Sequence, residues 1–268
     1  MSVGKRIVLL RHGERMDRFV ESQGGDWLST APRPQDPTLS EPGSEQIKEV
    51  GKEIKKIIKA PVKILASPLI RCVQTATICA GEIAYPTTIS VEYGLAEDAK
   101  SMRGREEGER KPVWTPLILD LRSLREYSTI LDSTPTMVEL HHERVQDGSH
   151  RNEVREFIED EPSLMDDAEV TLKRCKNLLM KIKEFLASKE LGTLILVSHG
   201  AITKVLASEL QGGESKLTGK LKVASWCAFD QDSANPDLFM PIFDEWQSAS
   251  YEGAEKKQDS ANIKGNPN

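Results

Sequence analysis

Three short segments bring arginine, histidine and glycine together: Arg11-His12-Gly13, the run SPLIR at residues 67–71, and Ser198-His199-Gly200. The chemistry that wants this set is the handling of a phosphoryl group. Arg11 and Arg71 offer planar forks of N–H donors that pair with phosphate oxygens and stay charged at any working pH. One imidazole can attack phosphorus and carry the group as phosphohistidine, splitting one hard displacement into two easier ones. Neighbouring arginines lower its pKa from about 6.5, which keeps it neutral and nucleophilic. The other imidazole can donate hydrogen bonds to the transferring oxygens. A leaving alkoxide then needs a proton from a carboxylic acid outside the cradle. Gly13 and Gly200 remove a Cβ where a ligand must approach the backbone.

Each cluster directly follows an apolar run, at residues 6–10, 62–66 and 193–197. Near-continuous Val, Ile and Leu is what a strand covered on both faces requires. Helical patterns lie between and after these strands. In SEPGSEQIKEVGKEIKKIIKA, Ile47, Val50, Ile54, Ile57 and Ile58 share a stripe, with Ser40 as N-cap and Pro42 in the first turn. A second stripe runs through Ala168, Leu172, Cys175, Leu179, Ile182 and Leu186, and residues 201–210 give a shorter helix. In SPLIR, Ser67 reads as an N-cap with Pro68 in the first helical position, so Arg71 lies near an anion-favouring helix start.

Alternating strands and helices predict an α/β fold: a doubly wound, mostly parallel sheet with helices on both faces. Ligands of such sheets sit outside the carboxyl ends of the strands, where all three clusters fall. Residues 98–162, dense in charge of both signs, break the pattern and read as an inserted cap of helices and loops. One domain is therefore expected over 1–246, followed by a disordered tail at 247–268.

The net charge of −6 argues against a general nucleic-acid binder. No run approaches the roughly 18 apolar residues of a membrane span, and the N-terminus lacks a signal-peptide pattern. Cys72, Cys79, Cys175 and Cys227 have no framework spacing and read as reduced thiols of a cytoplasmic protein. His141, His142 and His150 lie near Glu143 and Asp147, but the spacing fits no zinc pattern and reads as a solvated loop.

The segments RHGERMD, DPTLSEPGSEQ, SPLIRCVQTA and LILVSHG resemble the histidine phosphatase (phosphoglycerate mutase-like) superfamily. They look most like its branch containing the suppressor-of-T-cell-receptor-signalling (TULA) phosphatases and insect ecdysteroid-phosphate phosphatase. The resemblance covers residues 5 to about 97 and 163 to about 230. It implies that His12 is the nucleophile, and that Arg11, Arg71 and His199 hold the phosphate. Arg15 matches the second arginine of RHGER and would face the substrate. Glu97, in VEYGLAEDAK, aligns with the proton donor, with Glu92 as a nearby rival. No metal and no other cofactor is implied.

The expected activity is hydrolysis of a phosphomonoester, either a small molecule or phosphotyrosine. Two other readings stand beside it: a mutase-like phosphotransferase, and a catalytically silent phosphate-binding scaffold. A homodimer stays open. The residues after RHG depart from the mutase pattern, and there is no room here for the ubiquitin-associated and SH3 domains of the signalling phosphatases.

Overall fold

The computed structural model describes residues 4–31, 34, 36–97, 138–140 and 168–248. Strand β1 (Arg6–Arg11) leads into helices α1 (Met16–Ser22), α2 (Trp27–Thr30) and α3 (Glu41–Lys55). Then follow β2 (Val62–Ala66), α4 (Ile70–Ile83), β3 (Thr87–Val91) and a 3-10 turn at Tyr93–Leu95. Beyond it come β4 (Val138–Leu140), α5 (Ala168–Ser188), β5 (Thr193–Ser198), α6 (Gly200–Leu210), β6 (Trp226–Gln231) and β7 (Phe239–Pro241).

The seven strands form one sheet in the order β4-β3-β2-β5-β1-β6-β7. All neighbours from β4 to β1 are parallel, whereas β6 runs antiparallel to both β1 and β7. The three apolar runs are thus the adjacent strands β2, β5 and β1. Alternation along them serves two cores. Ile7, Leu9, Leu65, Leu194 and Leu196 cluster with the apolar stripes of α5 and α6. Val8, Leu10, Ile64, Ile195 and Val197 cluster with Ile47, Val50 and Ile54 of α3 and with Cys72, Ala76 and Cys79 of α4. Burial on both sides, at about 25 cal/mol per Å² of apolar surface, fixes the register that sets the strand ends level.

Helix α3 begins as its sequence predicts. Ser40 Oγ accepts the Gly43 amide at 3.0 Å, with proline in the first turn. Helix α4 does not. Its N-cap position is Leu69, which has no capping side chain, and the carboxylate of Asp36 accepts the Ile70 amide at 3.1 Å instead. Ser67 is therefore not the cap; its hydroxyl turns elsewhere, as described below.

Strands β3, β4, β6 and β7 were not among the apolar runs. β3 (TTISV) is polar at Thr87, Thr88 and Ser90, and β6 (WCAFDQ), though buried over Trp226–Phe229, ends in Asp230 and Gln231. The proposed cap lies outside the described residues except for Val138–Leu140, which extends the sheet beside β3. Of the expected tail, Gln247 exchanges 2.9 Å backbone hydrogen bonds with Trp226. The His141, His142 and His150 group lies outside the described residues. Among the described residues no helix is long and apolar enough to cross a membrane, and no cluster of metal-ligating side chains occurs.

Candidate active site

The register brings the three clusters together. Arg11 is paired with Ser198 across β1 and β5, the His12 amide donates to Ser198 O at 3.1 Å, and the Ser67 amide donates to Val197 O at 3.0 Å. His12, Ser67 and His199 consequently leave adjacent strands at one level. The imidazoles of His12 and His199 meet edge to face, 5.3 Å between centroids. Both are buried, as is Arg71.

His12 is held on two sides. Its carbonyl accepts the Ala224 amide at 2.9 Å, and Nδ1 lies 2.8 Å from Gly13 O. A carbonyl can only accept, so Nδ1 carries the proton and Nε2 keeps a free lone pair. Burial, and next the Arg71 guanidinium, press the His12 pKa well below 6.5; the bond to Gly13 opposes this, while Arg11 and Arg15 add to it. The ring is neutral at neutral pH. His199 is lowered for the same leading reasons, burial and then Arg71, with His12, Arg15 and Arg11 contributing.

Arg71 comes from the first turn of α4. Its Nη2 is 3.3 Å from His199 Nδ1 and 4.0 Å from Glu97 Oε2, and its Nη1 is 3.5 Å from Asp36. Arg11 donates from Nη1 to Leu221 O at 2.8 Å. Among the described residues, three buried donors in this cluster, Arg11 Nε, Arg71 Nε and Arg71 Nη1, make no hydrogen bond, Nη1 having only the longer ion-pair contact to Asp36. A buried guanidinium N–H without an acceptor is costly unless an anion supplies one.

Arg15 stands half-exposed beside this group and pairs through Nε and Nη2 with the buried carboxylate of Asp17, at 2.9 Å for Nε. Glu97 brings Oε2 to 3.3 Å from His199 Nδ1. Glu92 does not face the histidines through the contact it shows: Oε1 caps the 3-10 turn by accepting the Gly94 amide at 2.7 Å. The structure thus gathers Arg11, His12, Arg71, Glu97 and His199, with Arg15 at the margin.

Two glycines take a different part from the one predicted. A Cβ on Gly13 would fall 2.5 Å from Gly43 O, and one on Gly43 would fall 2.2 Å from Glu14 O. The exit of β1 and the start of α3 therefore touch backbone to backbone. A Cβ on Gly200 would press on the Arg11 guanidinium at 3.2 Å. These glycines make room for the protein's own groups.

Supporting residues escaped the sequence reading. Arg174 of α5 reaches the carbonyls of Gly94 and Ala96 at 2.9 Å each, gripping the turn that delivers Glu97. Ser198 Oγ donates to Leu95 O of the same turn at 2.7 Å. Asp36 ties α4 to Arg71 from a loop 34 residues earlier than the Ile70 amide it caps. Pairing over such separations leaves no local signature, and a charged residue on an amphipathic helix reads as solvated.

Comparison with known proteins bears on the fold that carries this geometry. The family model described as histidine phosphatase superfamily (branch 1) matches residues 7–129. The fold is similar to that of the ecdysone phosphate phosphatase of Bombix mori, solved in complex with tungstate, at a TM-score of 0.57 and 16% identity over 92% of each chain. It is also similar to the phosphoserine phosphatase of Entamoeba histolytica, solved with 3-phosphoglyceric acid, at 0.50 and 17% identity over 92% of this chain and 98% of that one. A search of the curated proteins by sequence finds no match. At such identities the structural likeness speaks for the fold.

Proposed function

We propose that this chain, a member of the histidine phosphatase superfamily, hydrolyses phosphomonoesters through a phosphohistidine on His12. The observation that carries this reading is the pairing of one open nucleophile with unfilled cationic donors. His12 Nε2 is free because Nδ1 is engaged by Gly13 O, and beside it the buried Nε groups of Arg11 and Arg71 make no hydrogen bond to a described residue, while Arg71 Nη1 has only the Asp36 carboxylate at 3.5 Å. A phosphoryl group supplies acceptors to those donors and an electrophile to that lone pair.

In the first step His12 Nε2 forms a bond to phosphorus as the ester P–O bond breaks. Glu97, as the carboxylic acid, gives its proton to the leaving oxygen. In the second, the Glu97 carboxylate takes a proton from water, whose oxygen attacks phosphorus and frees His12 and inorganic phosphate. Arg11, Arg71 and His199 stabilise charge on the transferring group throughout. Arg15, at the margin, is placed to meet the remainder of the substrate, either a small molecule or phosphotyrosine. We assign the protein to the cytoplasm on its four unpaired, buried thiols.

Hydrolysis of a chromogenic aryl phosphate by the purified chain tests this directly. His12→Ala should lower kcat by about three orders of magnitude or more, as loss of a nucleophile does elsewhere. Retention of activity in that variant would sink the mechanism. Transfer to an added hydroxyl compound in preference to water would instead favour a mutase.

A further inference from the structure

Ser67, the residue directly after β2, is fully buried, and its hydroxyl is spent on His199. Oγ lies 2.7 Å from His199 Nε2, the shortest polar contact either ring nitrogen makes. Which partner donates is decided by what else touches them. The Leu69 amide donates to one of the two lone pairs of Ser67 Oγ from 3.4 Å, and the hydroxyl proton is then available to Nε2. Cys72 Sγ lies 3.5 Å from the same nitrogen. Burial pushes that thiol's pKa far up, so it is present as S–H, a second weak donor towards Nε2. The groups around Nε2 are thus proton donors.

Nδ1 faces the opposite chemistry. Glu97 Oε2, an acceptor, stands 3.3 Å away. Two contacts at Nδ1 favour the reverse arrangement: Arg71 Nη2 at 3.3 Å, which can only donate, and the Cys72 thiol at 3.9 Å. Both are longer than the 2.7 Å hydroxyl contact at Nε2, and the Arg71 guanidinium also faces Glu97 at 4.0 Å.

We propose that Ser67 is a positioning residue that fixes the tautomer of His199, keeping the proton on Nδ1 where it faces Glu97 and the phosphoryl site. His199 then acts as a neutral donor: its N–H is aimed at a transferring oxygen without the ring having to be protonated. The tautomer is a property of the unliganded protein, and only its kinetic consequence rests on the phosphatase reading.

Long-range proton–nitrogen NMR on the full chain labelled at its five histidines, with His199 assigned by its absence in His199→Gln, reads the tautomer without substrate. The wild type should show Nδ1 protonated and Nε2 bare. Ser67→Ala, or Ser67→Gly should the alanine variant fail to fold, should shift the ring towards the Nε2–H form. Ser67→Thr, which restores a hydroxyl, should return it. In the kinetic arm, removal of the hydroxyl should lower kcat on an aryl phosphate about tenfold or more, with threonine recovering most of it. A wild-type ring protonated on Nε2, or a tautomer unmoved by loss of the hydroxyl, overturns the inference. A tautomer that behaves as expected in a chain that never hydrolyses a phosphomonoester would leave it standing and would instead fail the phosphatase reading.

Discussion

Two buried glutamates follow β3, and their surroundings separate them: Glu92 Oε1 accepts a backbone amide at 2.7 Å, whereas Glu97 Oε2 stands 3.3 Å from a histidine nitrogen. A glutamine at position 92 can still accept from Gly94, so Glu92→Gln should keep kcat within a few-fold of wild type. Glu97→Gln removes the titrating proton and should lower kcat by about 10²-fold or more, while acid-labile phosphate accumulates on His12. Quenched-flow trapping of labelled phosphoryl protein distinguishes the two variants; accumulation with Glu92→Gln alone would reverse their roles. Arg11, His12, Arg71 and His199 were legible in the sequence because each directly follows a buried strand or its next turn. Choosing between Glu92 and Glu97 was not possible from sequence, because that choice depends on Arg174 and Ser198, which hold the turn from distant parts of the chain.

At the scale of elements, the join between β1 and α3 governs where His12 points. Glu14 O accepts the Ser40 amide at 3.0 Å, Ser40 Oγ reaches Glu14 Oε2 at 2.9 Å, and the Gly13 and Gly43 backbones touch between them. Gly43→Ala would place a methyl 2.2 Å from Glu14 O, against main chain that cannot rotate away. It should lower stability by about 1–3 kcal/mol in urea unfolding, and kcat should fall with it because His12 is displaced. An alanine variant as stable and as active as wild type would show that the join is slack. The stripe and cap of α3 were legible because both are local. The start of α4 was not, because its capping carboxylate belongs to Asp36 in another loop; nor were β3, polar at three of its five positions, and β6, whose short apolar run passes into Asp230 and Gln231.

Taken as a whole, the molecule keeps two imidazoles neutral in its interior, and that must register in its stability. In the unfolded chain each titrates near 6.5, and in the fold each is held well below it. Below 6.5 the unfolded state therefore binds protons that the folded state refuses, and stability falls as pH falls. The slope should approach about 1.4 kcal/mol per pH unit for each histidine. Chemical denaturation between pH 7 and 5 measures it; His199→Gln should be the shallower of the two profiles, and equal slopes would show that this ring is not held neutral. The parallel sheet itself was legible, since three covered strands and the helices between them imply it. Its antiparallel side was not, and that side has a consequence for the order of assembly. His12 lies near the beginning of the chain, yet its main chain is secured by Ser198 O and by the Ala224 amide, and β1 is sandwiched between β5 and β6. Such long-range pairings form slowly. In chain order His12 is therefore made well before Ser198, Ala224 and β6, the partners that hold it. On the reading proposed above, a chain that lacks β6 should be inactive towards phosphoesters.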